Sequence, residues 1–238
     1  CFMLNNFNLA AVRTEDWDIP ERFPCQKVPS DGFNSLREQL PKWTMVIHLA
    51  ALPYFPEEKV AYEEEVLRAM SNEMGLPLAQ TVAGEEGLEA TLLDLILHPW
   101  TALKKARFKG SFHPVSFYTV LKRVPEFEET IFALAQEHGY PLSDIGGYML
   151  PIERGRNCYL EFDFHCDLDD PNDVERVKTL WLEANKACAN MGAVLAKPYG
   201  PCADIIYHRV APSYVDLLKK WKSALDPNNI LSPGQLCF

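Results

Sequence analysis

The stretch that says most about this fold is the C-terminal segment DPNNILSPGQLCF, residues 226–238. It follows residues 214–225, whose apolar side chains recur at helical spacing and predict an amphipathic helix. Because proline lacks a backbone N–H and cannot continue a helix, Asp226-Pro227 marks the predicted end of that helix. Many domains end in a turn followed by Pro-Gly, but the complete sequence pattern of this segment is less common.

The composition limits the classes of protein to consider. The chain has 238 residues, of which 47% are hydrophobic and 24% charged, as is usual for a folded globular protein. Its formal net charge of −10 argues against binding to nucleic acid or to an anionic membrane surface. The sequence has no apolar run long enough to predict a membrane span, and its N-terminus lacks the basic region of a signal peptide.

The cysteines favour free thiols over a metal site. Their number is odd, their spacing is irregular and there is no Cys-x-x-Cys pair. We therefore predict no metal site, mostly buried thiols and a reducing, cytoplasmic location. The seven positions are Cys1, Cys25, Cys158, Cys166, Cys188, Cys202 and Cys237.

The first half of the chain predicts alternating strands and helices after an irregular entry, residues 1–22. The apolar run 44–52, which contains His48, predicts a buried strand. The other predicted elements are a strand at 23–28 and helices at 33–40, 57–74 and 85–97.

The second half restarts this pattern. It predicts strands at 115–122, 144–152, 157–166 and 193–197, and helices at 125–138, 172–191 and 214–225. Trp181 and Trp221 lie on apolar helix stripes and are predicted to be core residues. The doubled order predicts an α+β fold: duplicated ferredoxin-like halves forming a mostly antiparallel sheet with helices on one face.

The C-terminal segment closely resembles the "DP…I…PG" ending of FAD-linked oxidases of the vanillyl-alcohol oxidase and p-cresol methylhydroxylase superfamily. Ala11-Val12-Arg13-Thr14, followed by Trp17-Asp18-Ile19-Pro20, is similar to the passage where such enzymes leave the FAD-binding domain and enter the cap domain. The resemblance implies a link from an absent FAD-binding domain at 1–22, a cap or substrate domain at 23–212, and a C-terminal helix with the tail motif at 213–238.

The resemblance also implies that FAD is bound mainly outside this chain. No glycine-rich phosphate loop joins a strand to a helix here, so the FAD-binding half is expected to be another chain or to have been removed. This chain would then be inactive alone.

Lys197 and Tyr199 are the first candidates for catalysis. In phenol-oxidising members of the family, a Tyr-Arg pair at the matching place helps to hold a phenolate, and the resemblance implies that Lys197 replaces the arginine. A cation beside a phenol lowers the phenol's pKa, and the charged ring favours hydride loss from the para carbon. Lysine cannot make the planar contact of arginine, which leaves the exact substrate open. The alternative is a solvated lysine at the end of a strand.

The predicted hairpin turn Glu153-Arg154-Gly155-Arg156-Asn157 is the second candidate site. In some family members a cap residue near this turn, often histidine, is bonded covalently to the flavin. The matching positions here are about Arg156 and Asn157, which implies non-covalent FAD, with Arg154, Arg156 and Asn157 as cofactor contacts. A charged hairpin tip can also be simply solvated.

His165, His208 and Arg209 are candidate substrate contacts. His165 shares one face of its predicted strand with Asp163, and such a histidine could equally be a surface or hydrogen-bonded residue. His208 and Arg209 precede the last helix, where they could line a substrate entrance or dock on a partner chain.

The resemblance implies the cap of a flavin-dependent oxidoreductase that oxidises a para-substituted phenol or a hydroxylated carbon by hydride transfer to FAD. Its partners would be an FAD-binding domain or subunit and a small-molecule substrate, and a homo-oligomer is left open. Two alternatives remain: the cap of a 2-hydroxy-acid dehydrogenase of the glycolate or lactate type, and a non-catalytic binding or assembly subunit without flavin. This sequence lacks the two motifs that are typical of the 2-hydroxy-acid branch, His-x-Gly-Asp-Gly-Asn and Gly-Glu-His-Gly.

Overall fold

The computed structural model describes residues 1–13, 30–51, 53–82, 85–197 and 199–238. The chain divides into two compact units. The first unit comprises Cys1–Ile19 with Pro29–Lys105, and the second comprises Pro20–Val28 with Ala106–Phe238. The strand predicted at 23–28 lies outside the described residues.

Among its described residues, the first unit contains one antiparallel strand pair and four α-helices. Its strands are β1 (Phe2–Asn5) and β2 (Trp43–Val46), which pair with Phe2 opposite Val46. The helices are α1 (Asn6–Arg13), α2 (Ser30–Gln39), α3 (Pro56–Met74) and α4 (Leu88–Leu97). A 3₁₀ segment, Pro99–Arg107, follows α4.

The core of the first unit forms around α1. Phe7 and Leu9 are fully buried, and the ring of Phe7 meets Phe33 of α2 edge-on at 5.2 Å between centroids. In contrast, α3 has no buried residue, and Met74 at its end is 59% exposed. The apolar stripe of α3 therefore does not contribute to a core among the described residues.

Two predictions for the first unit were wrong. The described part of the predicted irregular entry, residues 1–13, forms β1 and α1, and α1 buries six of its eight residues. The run 44–52 contains only the short strand β2, in which Met45 is 53% exposed, and His48 after it is exposed rather than buried. An apolar run without helical or strand periodicity does not show which of its side chains will be buried by other parts of the protein.

In the part of the second unit that the structure describes, four antiparallel strands form a sheet. In chain order these are β3 (Gly110–Val120), β4 (Gly146–Ile152), β5 (Asn157–Asp167) and β6 (Val194–Leu195), and in space their order is β4-β5-β3-β6. The long central pair β3–β5 runs from Gly110 opposite Asp167 to Val120 opposite Asn157. Its helices are α5 (Val124–Glu137), α6 (Pro171–Asn190), α7 (Pro201–Tyr207) and α8 (Pro212–Leu225).

The predicted α+β class with antiparallel pairing is confirmed. The second unit shows the order β3-α5-β4-β5-α6-β6, which is the βαββαβ order of a split βαβ motif. The repetition of this order in the first half stays a prediction.

One face of the second unit's sheet packs against α5 and α6. Phe117 of β3 lies 4.7 Å from Phe127 of α5, and Phe162 of β5 lies 6.4 Å from Phe132, between ring centroids. The side chains that fill this layer are all buried, and they include Val115, Phe117, Leu160, Phe162, Phe164, Phe127, Ile131, Leu180 and Ala184. This layer is the main core of the unit.

Three details of the second unit differ from the predictions. Helix α7 has no counterpart among the predicted elements, and it begins at Pro201, where the ring already sets φ for a helix. Trp221 is 59% exposed and is not a core residue. Trp181 is half-buried, and its indole Nε1 donates a hydrogen bond to the Pro114 carbonyl at 2.9 Å.

No helix in the described ranges is both long and apolar enough to cross a membrane. The longest, α6, has 20 residues but carries charged side chains along its length, from Asp173 to Lys186.

We predict that Phe117→Ala lowers the free energy of unfolding by about 3–5 kcal/mol, because it leaves a cavity against Phe127 in the fully buried layer. Urea unfolding measures the loss. The matched control is Trp221→Ala, which should change stability by less than about 1 kcal/mol because its side chain is mostly in solvent. Equal losses for the two variants would contradict this assignment of the core.

Candidate functional site

Strand β5 divides its side chains between two environments. Leu160, Phe162 and Phe164 face α5 and α6, so the alternate residues Tyr159 and Glu161 lie on the opposite face of the sheet. No helix of the second unit's α5–α6 layer covers that face, which we call the open face. It is defined by Ser116 and Tyr118 of β3, Tyr148 of β4, and Tyr159 and Glu161 of β5.

Three tyrosines form a cluster across the open face. Tyr118 stands directly opposite Tyr159 on the neighbouring strand, with the ring centroids 5.6 Å apart and the rings inclined at 62°. Tyr148 approaches the same Tyr159 ring at 6.1 Å and 63°. Tyr118 is 42% exposed, whereas Tyr148 and Tyr159 are half-buried. The tyrosine cluster (Tyr118, Tyr148 and Tyr159) thus offers an accessible surface of ring edges and faces, which suits contact with another aromatic ring.

Glu161 lies in the row beside this cluster. Its directly opposed neighbours are Ser116 on β3 and Tyr148 on β4, and its Oε2 accepts a hydrogen bond from the Tyr159 hydroxyl. Burial raises the pKa of Tyr159, the negative charge of Glu161 raises it further, and a hydrogen bond with Ser116 opposes these effects. Tyr159 therefore stays protonated and donates to the carboxylate.

The same face becomes fully buried towards the far end of β5. Asp163 and His165 are 0% exposed, and the Phe108 ring meets the His165 ring edge-on at 5.3 Å. The backbone N–H of His165 donates to the Tyr140 hydroxyl at 2.7 Å, and burial raises the pKa of Tyr140. His165 is thus a core residue, and this position does not favour its predicted contact with a substrate.

Lys197 and Tyr199 come together at a small cavity beside β6. The cavity has a volume of about 10 Å³ and is lined by Lys197, Tyr199, Ser116, Leu195, Pro114, Trp181, Asn185 and Cys202. A space of this size holds about one water-sized group and cannot enclose an aromatic ring. The structure therefore brings the two predicted catalytic residues together, but in a space that admits only an atom or two of a ligand.

Tyr199 is also the point where the C-terminal segment meets the site. It forms an isolated antiparallel bridge with Gln235, and its carbonyl accepts a hydrogen bond from the Cys202 N–H at 3.2 Å. Burial raises the pKa of Tyr199, with further contributions from Cys202 and from the charge of Glu161.

The Asp226 carboxylate organises the turn that leads to this bridge. Its two oxygens accept hydrogen bonds from the N–H groups of Ile230 at 2.9 Å and Leu231 at 2.8 Å. Lys222 of α8 donates to the same carboxylate at 2.6 Å and also to the Leu231 carbonyl. The Lys222 hydrogen bond, followed by that from Ile230, lowers the pKa of Asp226 to about 2. The charged residues at the end of α8 therefore hold the tail in place.

The predicted cofactor contacts lie at the hairpin tip, away from Lys197. Arg154 and Arg156 are exposed, and neither guanidinium has a hydrogen-bond or ion-pair partner among the described residues. The Asn157 side chain donates to Glu153 at 2.6 Å. Strand β3 gives the distance between the two places. The hairpin tip lies at one end of β3, where Asn157 is opposite Val120, whereas the Ala196 N–H donates to the carbonyl of Ser116. The tip and Lys197 are therefore about five residues, or roughly 17 Å, apart along β3.

His208 and Arg209 directly follow α7 and are exposed. The His208 ring contacts the Asp204 carbonyl at 2.6 Å. Arg209 donates to the Ile205 carbonyl at 2.7 Å and to the Asn190 side chain at the end of α6. Through these contacts both residues stabilise the ends of helices. None of the contacts is with a residue of the open face or of the Lys197 cavity.

Two further features lie outside the predicted site. A second cavity of about 620 Å³ lies in the first unit, lined by residues of α3 and by the segments around Ile47, Leu78 and Gly87, and it includes none of the predicted site residues. Within the described ranges, no group of three or more His, Cys, Asp or Glu side chains is placed to hold a metal ion.

Sequence reasoning missed the tyrosine cluster and Glu161. The available signal was the two-residue period of β5, because the alternation that puts Asp163 and His165 on one face also puts Tyr159 and Glu161 there. The cross-strand partners Tyr118 and Tyr148 can be identified only from the strand register, which cannot be read from the sequence.

Comparison with known proteins supports the resemblance seen in the sequence. Residues 160–236, which include most of β5, all of α6, Lys197 and most of the tail, match the family described as "FAD linked oxidases, C-terminal domain". A search of curated proteins by sequence gave no match.

Solved structures show the same fold over the entire chain. A crystal structure of p-cresol methylhydroxylase with substrate bound is 12% identical, with a TM-score of 0.67 over 100% of this chain. The 4-ethylphenol oxidase from Gulosibacter chungangensis, in complex with isoeugenol, is 16% identical, with a TM-score of 0.62 over 98% of this chain. The present chain covers 46% of each of those two chains.

We predict that the tail opens in acid as Asp226 is protonated. Because its folded pKa is lowered from 3.8 to about 2, the charged carboxylate stabilises the tail fully above pH 3.8, and this stabilisation is lost as the pH falls through about 2. Hydrogen exchange at the Ile230 and Leu231 amides, measured across this range, reports the opening.

The variant Asp226→Asn should expose those two amides to exchange already at neutral pH, because one amide nitrogen replaces an acceptor and the charge facing Lys222 is lost. Asp216→Asn on the exposed side of α8 is the control and should leave both amides protected. Unchanged protection in Asp226→Asn would show that other contacts hold the tail.

Proposed function

We propose that this chain is the substrate-facing cap portion of an FAD-dependent oxidoreductase that oxidises a para-substituted phenol, or another hydroxylated carbon, by hydride transfer to FAD. The single observation that carries the proposal is the open face: a half-exposed tyrosine cluster beside Glu161, at the edge of which Lys197 and Tyr199 share a cavity. The family of residues 160–236 and the phenolic compounds named with both fold relatives support it.

The residues present fit contact with a flavin ring better than they fit a whole dinucleotide. The open face presents aromatic rings, and the exposed Arg154 and Arg156 guanidinium groups could meet an anionic ring edge. The hairpin tip forms a single 3₁₀ turn, Glu153–Gly155, and opens no α-helix, which is the element whose N-terminus binds a pyrophosphate. We therefore propose that an FAD-binding domain or subunit supplies most of the FAD contacts, and that the cofactor is non-covalent at this hairpin.

FAD supplies the acceptor for the hydride, and the side chains of this chain bind and orient the substrate. A phenol ring would lie against the tyrosine cluster, with only its oxygen entering the water-sized cavity. There the Lys197 ammonium would favour loss of the phenol proton by stabilising the phenolate, and Tyr199 would donate a hydrogen bond to it. The raised pKa of Tyr199 keeps its hydroxyl a donor.

A non-catalytic binding or assembly subunit is the second candidate, and the first unit favours it. Large apolar side chains of that unit are exposed, among them Met70, Met74, Leu97 and Trp100. Exposed apolar surface of this kind is typical of a docking site. A cytoplasmic location stays a prediction, supported by the free thiols at every described cysteine.

The experiment that separates the candidates is a visible absorbance spectrum of the purified protein, with intact masses of every chain in it. A flavin band that para-alkylphenols bleach without oxygen is the expected result. Bleaching by 2-hydroxy acids instead would favour the other dehydrogenase class. A protein that stays colourless after FAD is added would favour the binding subunit.

We predict that Lys197→Ala in the flavin-containing protein lowers kcat/KM for a para-alkylphenol about 100-fold, because the phenolate loses its stabilising charge. Lys197→Arg should restore much of the rate. The matched control is Lys178→Ala on the exposed side of α6, where the ammonium is 72% exposed and pairs only with Glu175. Circular dichroism checks that all three variants fold, and equal rates for Lys197→Ala and Lys178→Ala would reject this role of Lys197.

A further inference from the structure

Asn185 of α6 is a buried side chain whose two polar atoms are used unequally. The residue is 3% exposed, and its Nδ2 donates a hydrogen bond at 2.8 Å to the carbonyl of Trp181, one turn earlier in the same helix. Because a carbonyl oxygen can only accept, this contact fixes which end of the amide is the nitrogen. The Asn185 Oδ1 lies on the other branch, and it accepts no hydrogen bond from any residue that the structure describes.

The orientation of this amide is set by its surroundings. Trp181, whose carbonyl holds Asn185, is itself tied to β3, because its indole Nε1 donates to the carbonyl of Pro114 at 2.9 Å. The cavity that Asn185 lines is the one that Lys197 and Tyr199 line. A buried acceptor without a donor is unfavourable, so we expect this cavity to receive a donor.

The other polar groups around the cavity are already bonded or stay uncharged. The carbonyls of Ser116 and Tyr199 accept hydrogen bonds from the N–H groups of Ala196 at 2.9 Å and Cys202 at 3.2 Å. Burial raises the pKa of the Cys202 thiol to about 11 and also raises the pKa of Tyr199, so both stay neutral near neutral pH. Glu161, whose charge contributes to the raised pKa of Tyr199, does not line the cavity. The described lining therefore contains no anion that could hold a cation in place of Asn185.

Lys197 is the donor that matches this acceptor. It is half-buried, and its ammonium forms no hydrogen bond or ion pair with a described residue. The cavity between the two residues has a volume of about 10 Å³, which is the space of about one water molecule. A group that enters this space from one wall therefore reaches the opposite wall.

We propose that Asn185 positions Lys197, because its Oδ1 accepts a hydrogen bond from the ammonium while another N–H of the same ammonium faces the oxygen of a bound phenolate. The inference rests on the proposed function and adds a residue that acts through Lys197 rather than on the substrate. The phenolate oxygen and the amide oxygen are both acceptors and repel one another unless a donor lies between them. Lysine is a flexible chain with a point charge, so an anchor of this kind supplies the orientation that arginine has from its planar group.

The test uses 4-nitrophenol as the probe, because its para substituent has no hydrogen to lose and its phenolate absorbs visible light. Difference absorbance gives Kd for the flavin-containing protein at acid pH, where the probe is neutral, and at alkaline pH, where it is the phenolate. Wild type should bind the phenolate more tightly. Asn185→Leu, which has a similar shape but no acceptor, should weaken binding of the phenolate about tenfold and change binding of the neutral phenol by less than about twofold.

A double-mutant cycle separates this positioning role from a purely structural one. Asn185→Leu should have no further effect on the Kd of the phenolate in the Lys197→Ala background, because the ammonium through which it acts is gone. The matched control is Cys188→Ala, which is also fully buried on α6 but does not line the cavity. Any effect of the control should be the same at both pH values and in both backgrounds. If Asn185→Leu does not fold, Asn185→Ala takes its place with the same expected result, since alanine is a strong helix former.

The outcomes distinguish failure of the inference from failure of the proposed function. The inference is overturned if Asn185→Leu causes no loss, an equal loss for phenol and phenolate, or a loss that persists without Lys197. Each of these results leaves the proposed function standing. A wild type that does not bind 4-nitrophenol, or binds its phenolate no more tightly than the neutral phenol, overturns the proposed role of Lys197 and the inference with it.

Discussion

The strict alternation of side chains along β5 is the constraint on which the second unit depends. This strand is paired on both sides over most of its length, so each residue has a fixed face. Its residues Tyr159 and Glu161 lie on the open face, and its even-numbered residues from Cys158 to Phe164 are buried on the face that packs against α5 and α6. A shift of one residue in register would exchange Tyr159 and Glu161 for Leu160 and Phe162, and would thereby place a carboxylate in the core. The stability of the core and the chemistry of the open face are therefore specified by the same hydrogen-bond ladder.

The regular elements of the second unit could be predicted because their signals are local. The period of α5, the Asp170 cap before α6 and the glycine-containing turn between β4 and β5 all act within a few residues. Burial is not local in this sense. Trp221 and Trp181 lie on similar apolar stripes, yet only Trp181 finds a neighbouring carbonyl, at Pro114, which is 67 residues away in the chain. His48 fails as a core prediction for the same reason, since an apolar run does not reveal what will cover it.

The candidate site was predicted in part for related reasons. Lys197 and Tyr199 were found through a family resemblance, and their shared cavity shows that they lie together. Arg209 and His208 are also close in sequence, but their contacts are with helix ends. The tyrosine cluster draws one residue from each of three strands, so only the register brings it together. A single charged residue can be chosen as a site candidate from the sequence, whereas an aromatic surface made of several strands can be identified only in the folded structure.

The bridge between Tyr199 and Gln235 has a thermodynamic consequence. The two residues are joined through the backbone, and the tail that contains Gln235 is held by the Asp226 turn. Ligand binding at Tyr199 and closure of the tail are therefore linked equilibria. If closure of the tail raises the affinity for a ligand at Tyr199 by some factor, binding of that ligand must raise the equilibrium constant for closure by the same factor. Residues far from any substrate atom would in this way share in its affinity.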